Sequence, residues 1–455
     1  MTDFTTSPTL EMLAEDLAQG RTTSRALVEA CLERIADPQG EGARAFLHVD
    51  AEAALSAADA MDRLRKANAT PSRYAGIPIS VKDLFDIAGQ QTRAGSRALD
   101  DTSPAREDAP VVKRLRRAGF VVIGRTNMAE FAYTGLGLNP HYGTPKSAWR
   151  RNVGHVPGGS SSGGAISVVD GMAHAALGTD TGGSCRIPAA FNGLVGYKPT
   201  QSRIPLEGGI PLSTTLDSFG PIARSVACCA VLDAVLADEP VRPLVPRAVE
   251  GLRLLVPTTV ALEQLEDTIS AAFDRALGRL KDAGALVVRG EVPEFKEIGE
   301  ISGKGGFPAA ESYAWHHDLM QRRGADYDPR VIIRIRRGEK HTAKDYIELN
   351  QARRDIIARF NARVASFDAL LMPTTANTPP TLDAMKDDDA FAKANILALR
   401  NPTFINMMDG CGISLPMEKP GEVPCGLMLS AVGGRDHDLF EIAAGVEALL
   451  RGASS

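Results

Sequence analysis

The chain has 455 residues, 44% of them hydrophobic, and a net charge of −5 from 51 basic and 56 acidic side chains. That suffices for a large buried core, and length alone allows more than one domain. No long run of one sign occurs, and the densest basic patch, "KRLRR" at Lys113–Arg117, reads as a solvated helix face rather than a nucleic-acid site. The six cysteines form no CxxC pair and fit no zinc spacing. The opening "MTDFTTSPTLEML" is polar and acidic, unlike a secretory signal, and no apolar run approaches the roughly 18 residues of a membrane span. The expectation is a cytoplasmic protein with reduced thiols and neither membrane nor nucleic acid as partner.

The first part reads as helical. "SPTLEMLAEDLAQG" starts at a capping Ser7 and stops at Gly20, "TTSRALVEACLERIAD" has apolar residues at helical spacing, and "AEAALSAADAMDRLRKANAT" is rich in alanine. The texture then changes. "GIPISVKDLFDI" and "GFVVIGRTN" are short β-branched runs bounded by glycine, which predicts buried strands, with "APVVKRLRRAG" as a helix between them. "AALGTDT", "LVGYKPT", "GLRLLVPTT", "GALVVRGEV", "DALLMPTT", "CGISLPM" and "CGLMLSAV" predict further strands, and "TISAAFDRALGRLKDAG" and "TAKDYIELNQARRDIIARFNARVAS" further helices. Such alternation predicts an α/β fold around one large sheet. Pro199–Ser225 and Gly299–Pro308 read as loops.

Between Pro157 and Pro188 stands "PGGSSSGGAISVVDGMAHAALGTDTGGSCRIP", two glycine–serine clusters around an apolar run suited to a buried helix. A flexible linker is disfavoured, because linkers do not flank buried helices. A phosphate loop is disfavoured too, because no Lys-Ser or Lys-Thr pair closes either glycine run. "GLGLNP" carries Pro140 where a dinucleotide fingerprint needs its third glycine. Gly159–Gly163 matches G-x-S-x-G formally, but the polar "SAWRRNVGHVP" before it is no strand, so the match reads as accidental. Of the eight histidines, His155 and His174 lie nearest in sequence, and each reads as structural or exposed. Lysine is the other base able to activate serine. Lys82 ends the apolar run "AGIPISV", where desolvation would favour the neutral amine; spacing alone leaves open an ordinary exposed lysine at a strand end.

The stretch "PGGSSSGGAISVVDGMAHAALGTDTGGSCRIPAAFNGLVGYKPT" resembles the signature of the amidase signature family of serine hydrolases. "GIPISVKDLFDI" is similar to that family's lysine segment. "GRTNMAEFAYTGLGLNPHYG", "GGIPLSTTLDSFGPIARSV" and "RNPTFINMMDGCGISLP" resemble its other motifs. The resemblance runs from about Leu10 to the end and is weakest from about Val241 to Phe367.

It implies one large α/β domain, a mixed twisted sheet covered by helices on both faces. Its parts would be an N-terminal helical segment (1–70), a catalytic core (about 72–240), a variable substrate-side region (about 241–370) and the C-terminal part of the core (371–455). It implies Ser184 as nucleophile, Ser160 as bridging serine after a cis Gly159–Ser160 peptide, and Lys82 as base. The N–H groups of Thr181, Gly182, Gly183 and Ser184 would form the oxyanion hole. Asp180 and Arg186 would pair across the loop, Ser161, Ser162 and Thr179 would add hydrogen bonds, and Cys185 would be a buried small residue. "NMAEFAYTG" would line the acyl pocket through Met128 and Phe131, and Gly159 is a further substrate-side residue. Arg330, Arg334, Arg336 and Arg337 read as a solvated helix face, with carboxylate recognition as the other reading.

The expected activity is hydrolysis of a small carboxamide, with no metal and no cofactor; a homodimer is compatible with the resemblance. The alternative is the glutaminase subunit of a tRNA-dependent amidotransferase, which would require an accessory subunit. Those subunits carry an acidic residue shortly before "RNPTFINMMDG", where this chain has Leu399. A binding protein that kept the fold without catalysis is disfavoured, since all three triad side chains are present.

Overall fold

The computed structural model describes residues 8–452. They form a single α/β domain around one mixed sheet. Its strands are β1 (Phe46–Val49), β2 (Pro78–Lys82), β3 (Val121–Thr126), β4 (Ala176–Thr179), β5 (Val195–Lys198), β6 (Phe219–Ala223), β7 (Arg253–Pro257), β8 (Leu286–Gly290), β9 (Ala369–Pro373), β10 (Cys411–Pro416) and β11 (Gly426–Ala431). They lie in the order β1-β3-β2-β4-β6-β5-β10-β11-β9-β7-β8. β2 is parallel to both β3 and β4, and β7 to β8 and β9; the remaining pairs are antiparallel.

The two-residue period of a strand sends alternate side chains to opposite faces. Ile79, Val81, Leu177, Leu254, Leu371, Leu427 and Leu429 enter the largest core, with the helices Val226–Leu236 and Asp436–Arg451 over it. On the other face, Val121, Ile123 and Ala176 meet the helices Ser24–Ala36, Ala51–Lys66 and Ser162–Val169. Further along that face Leu370, Met372 and Met428 meet Glu294–Ile301 and Ala343–Val364. Because Ile79 and Val81 face the largest core, Ser80 and Lys82 face the helix Ser162–Val169, and Ser80 Oγ lies 2.8 Å from Ser167 Oγ. The parity of one strand therefore delivers the lysine to the serine-rich helix.

Each strand named from the sequence is present, and two more are found. β1 escaped notice because "FLHV" is short and stands between helices. β6 lies inside the stretch read as a loop, Pro199–Ser225, which is corrected accordingly. Gly220 and Pro221 gave that segment its loop-like character. Both have reasons to be there: a Cβ on Gly220 would sit 2.1 Å from Tyr197 O, and Pro221 lies outside the β5–β6 ladder, which pairs only Ala223 and Ile222. The second expected loop, Gly299–Pro308, shrinks to a turn. One helix runs to Ile301 and the next, Gly306–Arg323, begins with Pro308 in its first turn, where proline costs little. Ser7 lies outside the described residues; Thr9 caps Leu10–Ala18 by accepting from Met12 N. Among the described residues no helix is long and apolar enough to cross a membrane.

Candidate active site

Lys82, at the end of β2, is fully buried. Its Nζ donates to Ser160 Oγ and to Thr179 Oγ1, each at 2.7 Å. Burial brings its pKa down to about 7; the charges of Asp180 and Asp217 oppose this without cancelling it. Removing an ammonium from water disfavours the charged form, so the amine is poised to take a proton near neutrality. Ser160 follows a cis Gly159–Ser160 peptide and stands one residue before Ser161, the N-cap of the helix Ser162–Val169. Gly159 N donates to Gly135 O and Ala129 N to Ser160 O, tying the first cluster to the Asn127–Gly135 segment. Ser161 Oγ and Ser162 Oγ donate to Thr179 O and Asn127 O. Gly178 lets the two clusters close on each other: a Cβ there would lie 2.8 Å from Ser161 Oγ and 3.0 Å from Cys185 Sγ.

The second cluster leaves β4 as the loop Asp180–Ser184. Burial opposes charge on Asp180, but the Arg186 guanidinium holds its carboxyl well below the usual carboxylate range. Arg186 donates to it through Nε (3.0 Å) and Nη2 (2.8 Å), and both residues are wholly buried. Asn406 closes the network, donating to Asp180 and accepting from Arg186. The expected pairing across the loop is thus present. Replacing Arg186 with methionine would strand a buried carboxylate, and should destabilise the fold by about 3–5 kcal/mol in urea unfolding.

Asp180 also corrects one expectation. The N–H of Gly183 donates to Asp180 Oδ1 at 2.8 Å, so it is committed inside the protein and is not a free oxyanion donor. Gly183 serves the loop through its φ of 122° and through the space it leaves, since a Cβ would lie 2.6 Å from Pro402 Cβ. The N–H groups of Thr181, Gly182 and Ser184 donate to no acceptor among the described residues. Ser161 N donates to Ser184 O at 3.3 Å, which brings the two clusters together. Ser184 Oγ makes no hydrogen bond with the described residues, and the side chain is nearly buried, at 3% exposure.

The remaining expected residues are placed less openly. Met128 and Phe131 are buried in the largest core. Phe131, at φ 49°, holds its ring 4.3 Å from that of His316 and 5.2 Å from that of Tyr327. Cys185 is buried, as expected. His155 binds Pro379 O, and His174 lies 4.0 Å from Cys31 Sγ; neither reaches a cluster serine. Arg336 and Arg337 are exposed and Arg330 pairs with Asp388, which fits a solvated face; Arg334 lies half-buried over the Phe391 ring.

A family model described as Amidase matches residues 26–440. The chain belongs to the amidase family. It is 36% identical to the 2-amino-5-chloromuconic acid deaminase of Comamonas testosteroni over 96% of both chains. It is 33% identical to one subunit of the glutamyl-tRNA(Gln) amidotransferase of Chromohalobacter salexigens, over 96% of this chain and 95% of that one. A crystal structure of an amidase superposes with a TM-score of 0.87 at 31% identity, covering 97% of this chain and 99% of the other. The native peptide amidase from Stenotrophomonas maltophilia superposes with a TM-score of 0.78 at 26% identity, covering 98% and 97%. This amidase is accordingly a hydrolase of carbon–nitrogen bonds.

Of the groups around the Asp180–Ser184 loop, Asn406, Thr403 and Asp217 had no role from sequence, and Leu399 had one only as the place of a missing acid. Asn406 stands in "RNPTFINMMDG", a motif visible as a resemblance but without an assigned contact. Leu399 and Thr403, on the same helix, lie over Gly182: a Cβ there would meet Thr403 Oγ1 at 3.0 Å and Leu399 Cδ2 at 3.7 Å. Asp217, in "TTLDSFGP", accepts a hydrogen bond from Thr181 Oγ1. More than thirty residues separate each of these from the loop it touches, so no local pattern marks them.

Proposed function

We propose that this amidase hydrolyses a small carboxamide to the carboxylic acid and ammonia or an amine through an acyl-enzyme on Ser184. The observation that carries the reading is the buried Lys82 amine, held at 2.7 Å from Ser160 Oγ and titrating near neutrality. Ser184 Oγ adds to the amide carbon. Its proton passes to Ser160 as the Ser160 proton passes to neutral Lys82. The N–H groups of Thr181, Gly182 and Ser184 receive the oxyanion, each donor being worth about 10²–10³ in rate. The relay then runs backwards, protonating the leaving nitrogen, which departs as the C–N bond breaks. Water attacks the acyl-enzyme by the same route and frees the acid. Met128 and Phe131 of the Asn127–Gly135 segment, with Gly159, whose N–H donates to Gly135 O, form the acyl side of the site.

A free-standing enzyme fits better than a glutaminase subunit, because the side chains over Gly182 are the neutral Thr403 and the apolar Leu399, with no acid able to hold an amino group. Ammonia release from aliphatic, aromatic, carboxylated and indolic amides, with glutamine beside them, tests the reading. Turnover of a non-glutamine amide by the isolated chain is the expected result. Turnover confined to glutamine, or arising only with a captured partner protein, would favour the glutaminase.

A further inference from the structure

The antiparallel pair β4–β6 ends at Thr179 opposite Phe219, yet its ladder does not stop there. Asp180 N donates to Ser218 O, and Ser218 N and Oγ donate to Asp180 O. The next rung joins side chains rather than backbones: Thr181 Oγ1 donates to Asp217 Oδ1 at 2.5 Å. The other carboxylate oxygen, Oδ2, accepts the N–H groups of Leu212 (3.0 Å) and Ser213 (3.1 Å). Asp217 is 5% exposed, so these three donors are what satisfies its carboxylate. The loop behind it is braced in turn. Glu311, on the helix Gly306–Arg323, accepts from Ser213 Oγ, from Thr215 N and Oγ1, and from Tyr346 OH.

Thr181 is thereby held by its hydroxyl, while its own N–H donates to no acceptor among the described residues. That N–H is the first of the three free donors on the nucleophile loop. The far side of the loop is clamped separately, by Asp180 on Gly183 N and Cys185 N. Two carboxylates therefore fix one short turn from two directions, and only the Asp180 clamp comes from within the turn.

We infer that Asp217 is a positioning residue for amide hydrolysis: through the Thr181 hydroxyl it fixes the Thr181–Gly182 peptides so that their N–H groups meet the oxyanion. The inference rests on the acyl-enzyme reading above. Asp217 touches no reacting atom. Its effect is confined to the transition state, since the oxyanion does not exist in the bound amide, and it should therefore fall on kcat rather than on KM. A misplacement of about 1 Å at such a site costs on the order of 10²-fold. Asparagine cannot replace the aspartate: it offers one acceptor oxygen where Asp217 uses two, so either Thr181 or the Leu212–Ser213 turn loses its partner.

The test takes the best amide of the panel and measures kcat and KM for Thr181→Val, Thr181→Ser, Asp217→Asn and the double variant Thr181→Val/Asp217→Asn. Thr181→Val removes the bond from the loop end of the strap and decides the matter even where Asp217→Asn fails to fold. Expected are a fall of about 10- to 100-fold in kcat for Thr181→Val with KM within threefold, near wild-type kcat for Thr181→Ser, and a double variant no worse than its worse parent. A kcat for Thr181→Val within twofold of wild type, a loss expressed in KM alone, or a Thr181→Ser variant as poor as Thr181→Val would each overturn the assignment. Ser184→Ala run alongside separates the two failures. If it is inactive while Thr181→Val is normal, only the strap is wrong; if it is active, the acyl-enzyme reading falls whatever the strap does.

Discussion

Replacing Ser184 with alanine is expected to lower amide turnover by about 10⁶-fold, the cost of deleting a nucleophile from a site whose parts act as a unit. The backbone N–H of residue 184 survives the change, and so do the N–H groups of Thr181 and Gly182. The variant should therefore keep a small residual rate from the remaining donors. Stability should not follow activity. Ser184 Oγ makes no hydrogen bond with the described residues, so its removal leaves no polar group without a partner, and thermal unfolding should be unchanged or slightly raised. Activity and thermal melting on the same preparation check both halves. Retention of more than about one part in a hundred of the wild-type rate would exclude Ser184 as nucleophile, because deleting the nucleophile of such a site costs about 10⁶-fold. Attention would then pass to Ser160 and Ser161, whose hydroxyls lie in the same cluster.

The second large effect belongs to Lys82→Met, a change of similar volume that removes the proposed base. A loss of about 10²–10⁴ in kcat/KM is expected, the usual range for one general acid–base group. The pH profile carries the sharper signature. Burial brings the Lys82 amine down to about 7, and the proposed relay needs it neutral. Wild-type kcat/KM should thus rise about tenfold per pH unit below 7 and level off above it. In Lys82→Met the part of that limb owed to the amine should be lost, leaving only what the Asp217 carboxyl contributes, which burial also pushes up to about 7. A wild-type profile flat from pH 5 to 8, or an unchanged limb in Lys82→Met, would remove Lys82 from the relay.

Much of this site was legible because its chemistry is written in contiguous segments. The run "AGIPISV" announced a strand, and strand parity then put Lys82 opposite the face of Ile79 and Val81. The glycine–serine clusters stood out in the sequence, and the close approach that their glycines permit shows in the fold at Gly178 and Gly183. What could not be read was anything that depends on chain segments meeting from afar. Asn406 and Asp217 are ordinary polar residues until the fold sets them against Asp180 and Thr181. The oxyanion expectation failed at one residue for the same reason: sequence offers four successive N–H groups, but only the folded loop reveals that Asp180 has taken that of Gly183. β6 was hidden differently, since its glycine and proline answer to neighbours on β5 that a local reading does not see.

The order of the sheet also bears on how the enzyme is made. β10 and β11 come last in the chain but lie in the middle of the sheet, between β5 and β9. Until both have left the ribosome, the sheet is two unjoined halves, with β5 and β9 presenting open apolar edges to other nascent chains. Asn406 is translated just before β10, so the clamp on the Asp180–Ser184 loop also arrives near the end. Pairing across such separations is slow, because loop closure precedes any gain from contact. Soluble yield should therefore depend on synthesis rate, on growth temperature and on chaperones that shield those edges, and a ribosome-bound chain stalled before β10 should bind such chaperones and show no turnover.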